Sequence, residues 1–274
     1  MNLLKRFSRS RSGILGLVIL VIVIGVALIG PILAPNGPFQ IVDKPFLPPF
    51  SNYLLGTDSL GRDVATQLAF GARTSLMIGI FATLVAVLFG VLIGGMAGFY
   101  GGWIDNVLMR ITEFFQTIPF FIFAIVIVAI LSPTVTNIVV AISAVSWPPV
   151  ARLVRGEFLS LRNREFVQAS ICLGTSDFRI MTRDILPNCV STIIVTGSLM
   201  IATAILTESA LAFLGLSDPN LMSWGFMIAS GRTFLRNAWW LCAFPGTAIL
   251  LTVLSINLVG EGLNDAINPR LKGE

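Results

Sequence analysis

The residue types that usually carry chemistry are scarce in this chain, and their spacing serves no bond-making reaction. Among 274 residues there is no histidine. That removes the commonest general base, the commonest zinc ligand and the usual pH switch together. Cys172, Cys189 and Cys242 lack metal-site spacing. Lysine occurs only at Lys5, Lys44 and Lys272, none after a glycine, so the Gly-x-x-x-x-Gly-Lys phosphate loop is absent. If ATP drives this protein, another chain binds it. What remains is charge pairing, and the stretch around which the rest of the chain is organised is residues 165–188.

Residues 165–188 form a charged island between two apolar runs. The sequence predicts a short helix over 164–173, with Asn163 able to cap it and Glu165 suiting the positive end of its dipole. Phe166, Ala169, Ser170 and Leu173 recur at helical spacing, giving one face of small and apolar groups. Gly174 stands where a helix commonly ends in a left-handed residue. Thr175 or Ser176 can cap a second helix, with Asp177 in its first turn. Pro187 is expected to stop or kink that helix. Arg162, Arg164, Arg179 and Arg183 could pair with acids on a partner, or simply be solvated cations.

Glu208 is the other residue to weigh. A carboxylate at the centre of a membrane span costs about 2.5 kcal/mol or more, and is a functional candidate by default. Three readings are open to it: lining a path, a hydrogen bond across an interface with a partner chain, or a place near water if the span lies elsewhere.

The elements that must position these residues are membrane spans. The chain is 55% hydrophobic and 12% charged, with mean hydropathy +0.88, against roughly 25% charged in a soluble domain. Crossing a bilayer takes about 20 apolar residues, and six runs are candidates, near 13–33, 76–99, 117–131 (beginning a little earlier), 135–154, 190–216 and 239–259. They do not alternate as barrel strands would. The expected class is an all-α membrane protein of six transmembrane helices. In order these are a basic N-terminus (1–12), a first span (13–33), an outer segment (34–73), a five-span core (74–262) holding the loop 155–188, and a charged tail (263–274). Within 34–73, Asp58 can cap a short helix through Leu68 and Phe70. Residues 100–116 read as a polar connection with Asp105, Arg110 and Glu113. Trp147-Pro148-Pro149 is expected to break the fourth span. Gly90, Gly94 and Gly98 allow close packing, within the chain or against a partner.

Lysine and arginine counts set the orientation. With the N-terminus inside, inner segments hold thirteen and outer segments five. Both termini are therefore expected in the cytoplasm, and the central loop with them. The basic balance then needs no nucleic acid to explain it.

Four stretches resemble one family. Gln168-Ala169-Ser170, then Gly174, then Leu186-Pro187 resembles the EAA loop of ABC importer permeases, whose consensus is Glu-Ala-Ala, three residues, Gly, and later Ile-x-Leu-Pro. Here Gln168 stands for the Glu, Ser170 for the second Ala, and Asp184 where the Ile falls. Leu55-Gly56-Thr57-Asp58 with Gly61-Arg62-Asp63-Val64 resembles an outer-loop signature of the dipeptide/oligopeptide/nickel branch. The run from Thr207 through Glu208 to Gly215-Leu216 resembles the end of that branch's fifth span, and residues 257–269 its C-terminus.

The resemblance implies the type I importer permease fold in a bacterial or archaeal cytoplasmic (inner) membrane. It implies a second, homologous permease subunit, two ATPase subunits that dock on the coupling loop and bind ATP and Mg, and an extracytoplasmic binding protein. This chain itself would be non-catalytic and carry no cofactor. Short peptides are the expected substrate, with nickel or another metal chelate as the alternative and glycosides or opines after it. Outside the class, an intramembrane hydrolase lacks its Ser–His pair or paired aspartates. A channel or secondary transporter usually carries midplane charges or inverted repeats, and this sequence shows one buried carboxylate and no repeat.

Overall fold

The computed structural model describes Phe7 and residues 10–34 and 37–267. Lys5, Arg6, Arg9, Pro35, Asn36 and the tail's Asn268, Pro269, Arg270 and Lys272 lie outside the described residues. The described chain is helical, with two isolated β-bridges in the outer segment.

The first helix, α1, spans Arg11–Leu33 and packs along the last. The second, α2, spans Val64–Tyr100. Its 37 residues extend about 55 Å at 1.5 Å per residue, more than a bilayer core. Asp63, not Asp58, is its N-cap: the Asp63 carboxylate accepts from the Ala65 and Thr66 amides at 3.3 and 2.9 Å. The expected short helix through Leu68 and Phe70 is therefore the first turns of α2, continuous with the span. Asp58 organises the turn before it.

Residues 100–116 are not a loop. Helix α3 spans Gly102–Thr117, and after a bend of 84° at Ile118-Pro119 helix α4 spans Phe120–Leu131. Twelve residues in α4 give only about 18 Å of rise, so the expected third span crosses a membrane only if the bent pair counts as one unit. Five other helices have the length and apolarity to span. The polar residues of α3 that suggested a connection lie on one side of it, while Trp103, Val107, Ile111 and Phe114 are exposed at helical spacing.

Helix α5, Val135–Arg162, runs unbroken through Pro148 and Pro149. Each proline removes a helical hydrogen bond, yet tertiary packing holds the helix. Trp147 and Pro148 are buried, and the Trp147 ring meets Phe115 at 5.3 Å. The close partner of α5 is α2, and the glycines of α2 explain why. A side chain at Gly90 would meet Val150, at Gly94 the Ala151 carbonyl, and at Gly98 Phe158 and Arg155. Those glycines therefore serve packing within this chain.

Beyond α5, helix α6 spans Glu165–Cys172 and α7 spans Asp177–Phe213. Pro187 neither stops nor sharply kinks α7. Residues Ile180–Ile185 form a π-helical stretch just before it. There the Leu186 amide reaches back to the Met181 carbonyl, five residues away. The wider turn accommodates a residue with no amide hydrogen. Helix α8 spans Trp224–Gly231, and α9 spans Trp240–Ile267.

Candidate functional site

At one end of the bundle, α6 and the start of α7 form a corner. Asn163 ends α5, and Arg164 is the N-cap of α6 without a side-chain bond. The expected cap by Asn163 is thus absent, because α5 extends through Arg162. Gly174 turns the corner at φ +74°. The Gly174 amide bonds Ile171 O and the Thr175 amide bonds Ser170 O, at 3.0 and 3.1 Å. These are the two reversed bonds of a Schellman ending, which needs a left-handed residue at this point. Ser176 then stands at the N-cap of α7 without a side-chain bond, and Asp177 in its first turn.

The corner is anchored from below and bare above. Val167, Ile180 and Ile185 are buried with Phe99, Val154 and Phe158 of α2 and α5. Outside, Leu173 is 84% exposed and Phe178 77%, with Phe166 and Ile171 also exposed. Glu165, Gln168, Ala169, Arg164, Arg179 and Arg183 are exposed around them. Among the described residues none of those three arginines makes an ion pair. Gln168 donates to the Arg162 carbonyl at 3.0 Å, which ties α6 to the end of α5. Leu186 is half-buried and Pro187 exposed where α7 leaves the corner.

The other motif residues gather at the far end of α2. Thr57 is fully buried: its hydroxyl donates to Lys44 O at 2.8 Å and accepts from the Leu47 amide at 2.9 Å, and its carbonyl accepts from Trp240 Nε1. Asp58 accepts from the Leu60 and Arg62 amides and from Gln67 Nε2 at 2.7 Å. Gly56 and Gly61 both take positive φ, under the Leu47 and Asp43 carbonyls. This motif builds a clasp that pins residues 37–63 onto the start of α2 and onto α9. Arg62 lies over the Phe39 ring at 5.2 Å.

Glu208 sits five residues before the end of α7 and is 2% exposed. It accepts from Ser223 Oγ at 2.7 Å and, at 3.4 Å, from Ser209 Oγ. Ser223 also caps α8, accepting from the Phe226 amide, while the Trp224 amide donates to Ser75 Oγ of α2. The carboxylate thus joins α7 to α8 and, through that turn, to α2. Its hydrogen bonds are made within this chain.

Both ends of the molecule have counterparts among known proteins. A family model described as the inner membrane component of binding-protein-dependent transport systems matches residues 90–273. Another, the N-terminal transmembrane domain of oligopeptide transport permease C, matches residues 2–49. The chain belongs to this family of transport permeases. It is 40% identical over 271 residues to the dipeptide transport system permease protein DppC of Bacillus subtilis, covering 98% of this chain and 85% of that one. It is 39% identical over 276 residues to the di/tripeptide transport system permease protein DppC of Pseudomonas aeruginosa, covering 98% and 91%. It is 38% identical over 271 residues to a glutathione transport system permease of Pectobacterium atrosepticum, covering 98% and 90%. An inward-facing structure of the MetNI methionine ABC transporter matches with TM-score 0.61 at 16% identity, over 74% of this chain and 96% of that one. The permease therefore has the type I ABC importer fold and is a multi-pass membrane protein.

The fold brings Gly56, Thr57, Asp58, Gly61, Arg62 and Asp63 into one clasp and the loop residues into one corner, at opposite ends of α2. Sequence reasoning missed Ser223 and Ser75 as the surroundings of Glu208, and Trp240 as the anchor of Thr57. Nothing local marks them, since each contact spans fifteen or more residues. It also missed the ion pair of Asp105 with Arg155, because Asp105 read only as one charge of a polar connection over 100–116.

Proposed function

We propose that this permease is one of two homologous membrane subunits that form the path for short peptides in an ATP-driven importer. The apolar patch of Phe166, Ile171, Leu173 and Phe178, exposed beside arginines that make no ion pair among the described residues, carries the reading. Exposed large apolar groups rimmed by charge mark an interaction site, and here they ride on a rigid corner. Two ATPase subunits dock on such corners, one per permease, with Arg164, Arg179 and Arg183 facing acids. ATP and Mg belong to those subunits; this chain is non-catalytic and holds no cofactor. An extracytoplasmic binding protein delivers substrate at the opposite end, and both termini lie in the cytoplasm.

The geometry supports a transmission role for the corner. Because α7 is continuous from Asp177 to Phe213, movement of the corner passes along about 47 Å of helix to the Glu208–Ser223 joint. Closure of the ATPase dimer would drag the corner and tilt α7 against α8 and α2, opening the outer end; hydrolysis would reset it. The Gly56–Asp63 clasp holds the outer end while α7 moves. Peptide is favoured over nickel as the substrate by the relatives named above, which are dipeptide, di/tripeptide and glutathione permeases.

The test is a pull-down from native membrane in mild detergent, followed by ATPase assays with a di- and tripeptide mixture. A second permease and ATPase subunits should co-purify, and peptide with its binding protein should stimulate hydrolysis. A chain that comes down alone would sink the reading. Gly174→Val should insert and assemble normally while uptake separates from hydrolysis, since a β-branched residue is strained at φ +74° by about 1–2 kcal/mol. Normal uptake by that variant would refute the coupling role.

A further inference from the structure

Between the outer clasp and α8 lies a cleft of about 210 Å3, bordered by Asp58, Ser59, Leu60, Arg62, Met227 and Ser230. Arg62 is its cation. The Arg62 Nε is buried with no hydrogen-bond partner, and among the described residues the guanidinium makes no ion pair. The Phe39 ring beneath it holds the guanidinium by cation–π attraction and leaves its charge unneutralised. Neighbouring acids are committed elsewhere: Asp58 to the Leu60 and Arg62 amides and Gln67, Asp63 to the start of α2.

The same sorting of charge extends over this whole end. Asp43 accepts from the Lys44 amide and Asn52, and Asp218 accepts from the Val135 and Asn220 amides. All four acids are half-buried, whereas Lys44, Arg73, Arg232 and Arg236 are exposed. The acids are spent inside the fold, so the surface offered outward is basic. A partner that complements it is acidic.

We propose that the Arg62 cleft receives an aspartate or glutamate side chain of the extracytoplasmic binding protein. A guanidinium with free donors matches a carboxylate in a two-point bond. The volume suits one side chain: small-molecule pockets usually enclose about 300–1,000 Å3, so a whole peptide is too large for it. This rests on the importer reading and its orientation.

The test measures docking of the binding protein on the complete transporter, both permeases with both ATPases, in lipid nanodiscs. Arg62→Gln should raise the Kd about tenfold and Arg62→Lys less, because lysine keeps the charge without the fork. The shift should be equal for peptide-loaded and peptide-free binding protein. A shift seen only with peptide would assign the carboxylate to the substrate and overturn the proposal. Unchanged docking by Arg62→Gln would also overturn it. Should Arg62→Gln fail to assemble, Ser59→Cys bearing a photo-crosslinker reports on the cleft with Arg62 intact: capture of the binding protein beside an acidic residue supports docking there, and no capture refutes it. Failure of the importer reading looks different, because wild type would then neither bind nor respond to any binding protein.

Discussion

Arg155 of α5 and Asp105 of α3 form a two-point ion pair, Nε to Oδ1 at 2.5 Å and Nη2 to Oδ2 at 2.6 Å. It closes a fifty-residue loop and fixes where α3 leaves the end of α2. Asp105 is largely buried and Arg155 about one-third exposed, so the pair lies between the surface and interior cases. Asp105→Asn should cost about 1–2 kcal/mol, from one weakened bond and a cation left unpaired. A lowered melting midpoint in detergent, with α3 more exposed to protease, would show it. An unchanged midpoint would mean that the packing of Phe115 on Trp147 suffices.

The glycines of α2 and α5 predict opposite responses to one methyl group. At Gly94 a side chain would strike the Ala151 backbone, which cannot yield without moving α5, whereas at Gly156 nothing lies within 4 Å. Gly94→Ala should therefore destabilise by about 1–3 kcal/mol through overpacking. Gly156→Ala should be neutral or stabilise by up to about 1 kcal/mol through helix propensity. Thermal melting of the two proteins side by side decides it; equal shifts would contradict the close crossing of α2 and α5.

Thr57→Val preserves shape and removes two hydrogen bonds from a fully buried site. The Leu47 amide and Lys44 carbonyl lose their partner, at about 1–3 kcal/mol for the stranded groups. Residues 37–63 should then exchange amide hydrogens faster while α2 stays protected. Uniform protection across the clasp would show that the glycine turns alone hold it.

Helix content and membrane class were legible because apolarity over twenty residues is a local property. The glycine corner was legible too, since Gly174 answers a need of its own backbone. Misreadings arose where packing overrode local rules. Pro148 and Pro149 look like a break, but burial of Trp147 against Phe115 keeps α5 continuous through them. Pro187 looks like a stop, but a π turn lets α7 pass. Asp58 and Asp63 are equally good caps by type, and only the bonds of the clasp decide between them. Asp105 with Arg155 and Glu208 with Ser223 could not be paired from sequence, because nothing local links residues fifty or fifteen positions apart.

Glu208 separates a structural from a transport role by its two simplest substitutions. Glu208→Gln keeps an acceptor for Ser223 Oγ at nearly unchanged shape, and should cost under about 1 kcal/mol. Glu208→Ala leaves the Ser223 hydroxyl without its acceptor and opens a cavity at the meeting of α7 and α8, and should cost about 2–4 kcal/mol. Ser223→Ala loses that bond and the cap on the Phe226 amide together. The pair Glu208→Ala and Ser223→Ala should consequently be less than additive, with a coupling of about 1–2 kcal/mol in a double-mutant cycle. If Glu208 is a joint between helices, uptake per assembled complex survives in Glu208→Gln. If its charge meets the substrate, Glu208→Gln assembles, hydrolyses ATP with its partners and fails to transport, and the joint is then only half of what this carboxylate does.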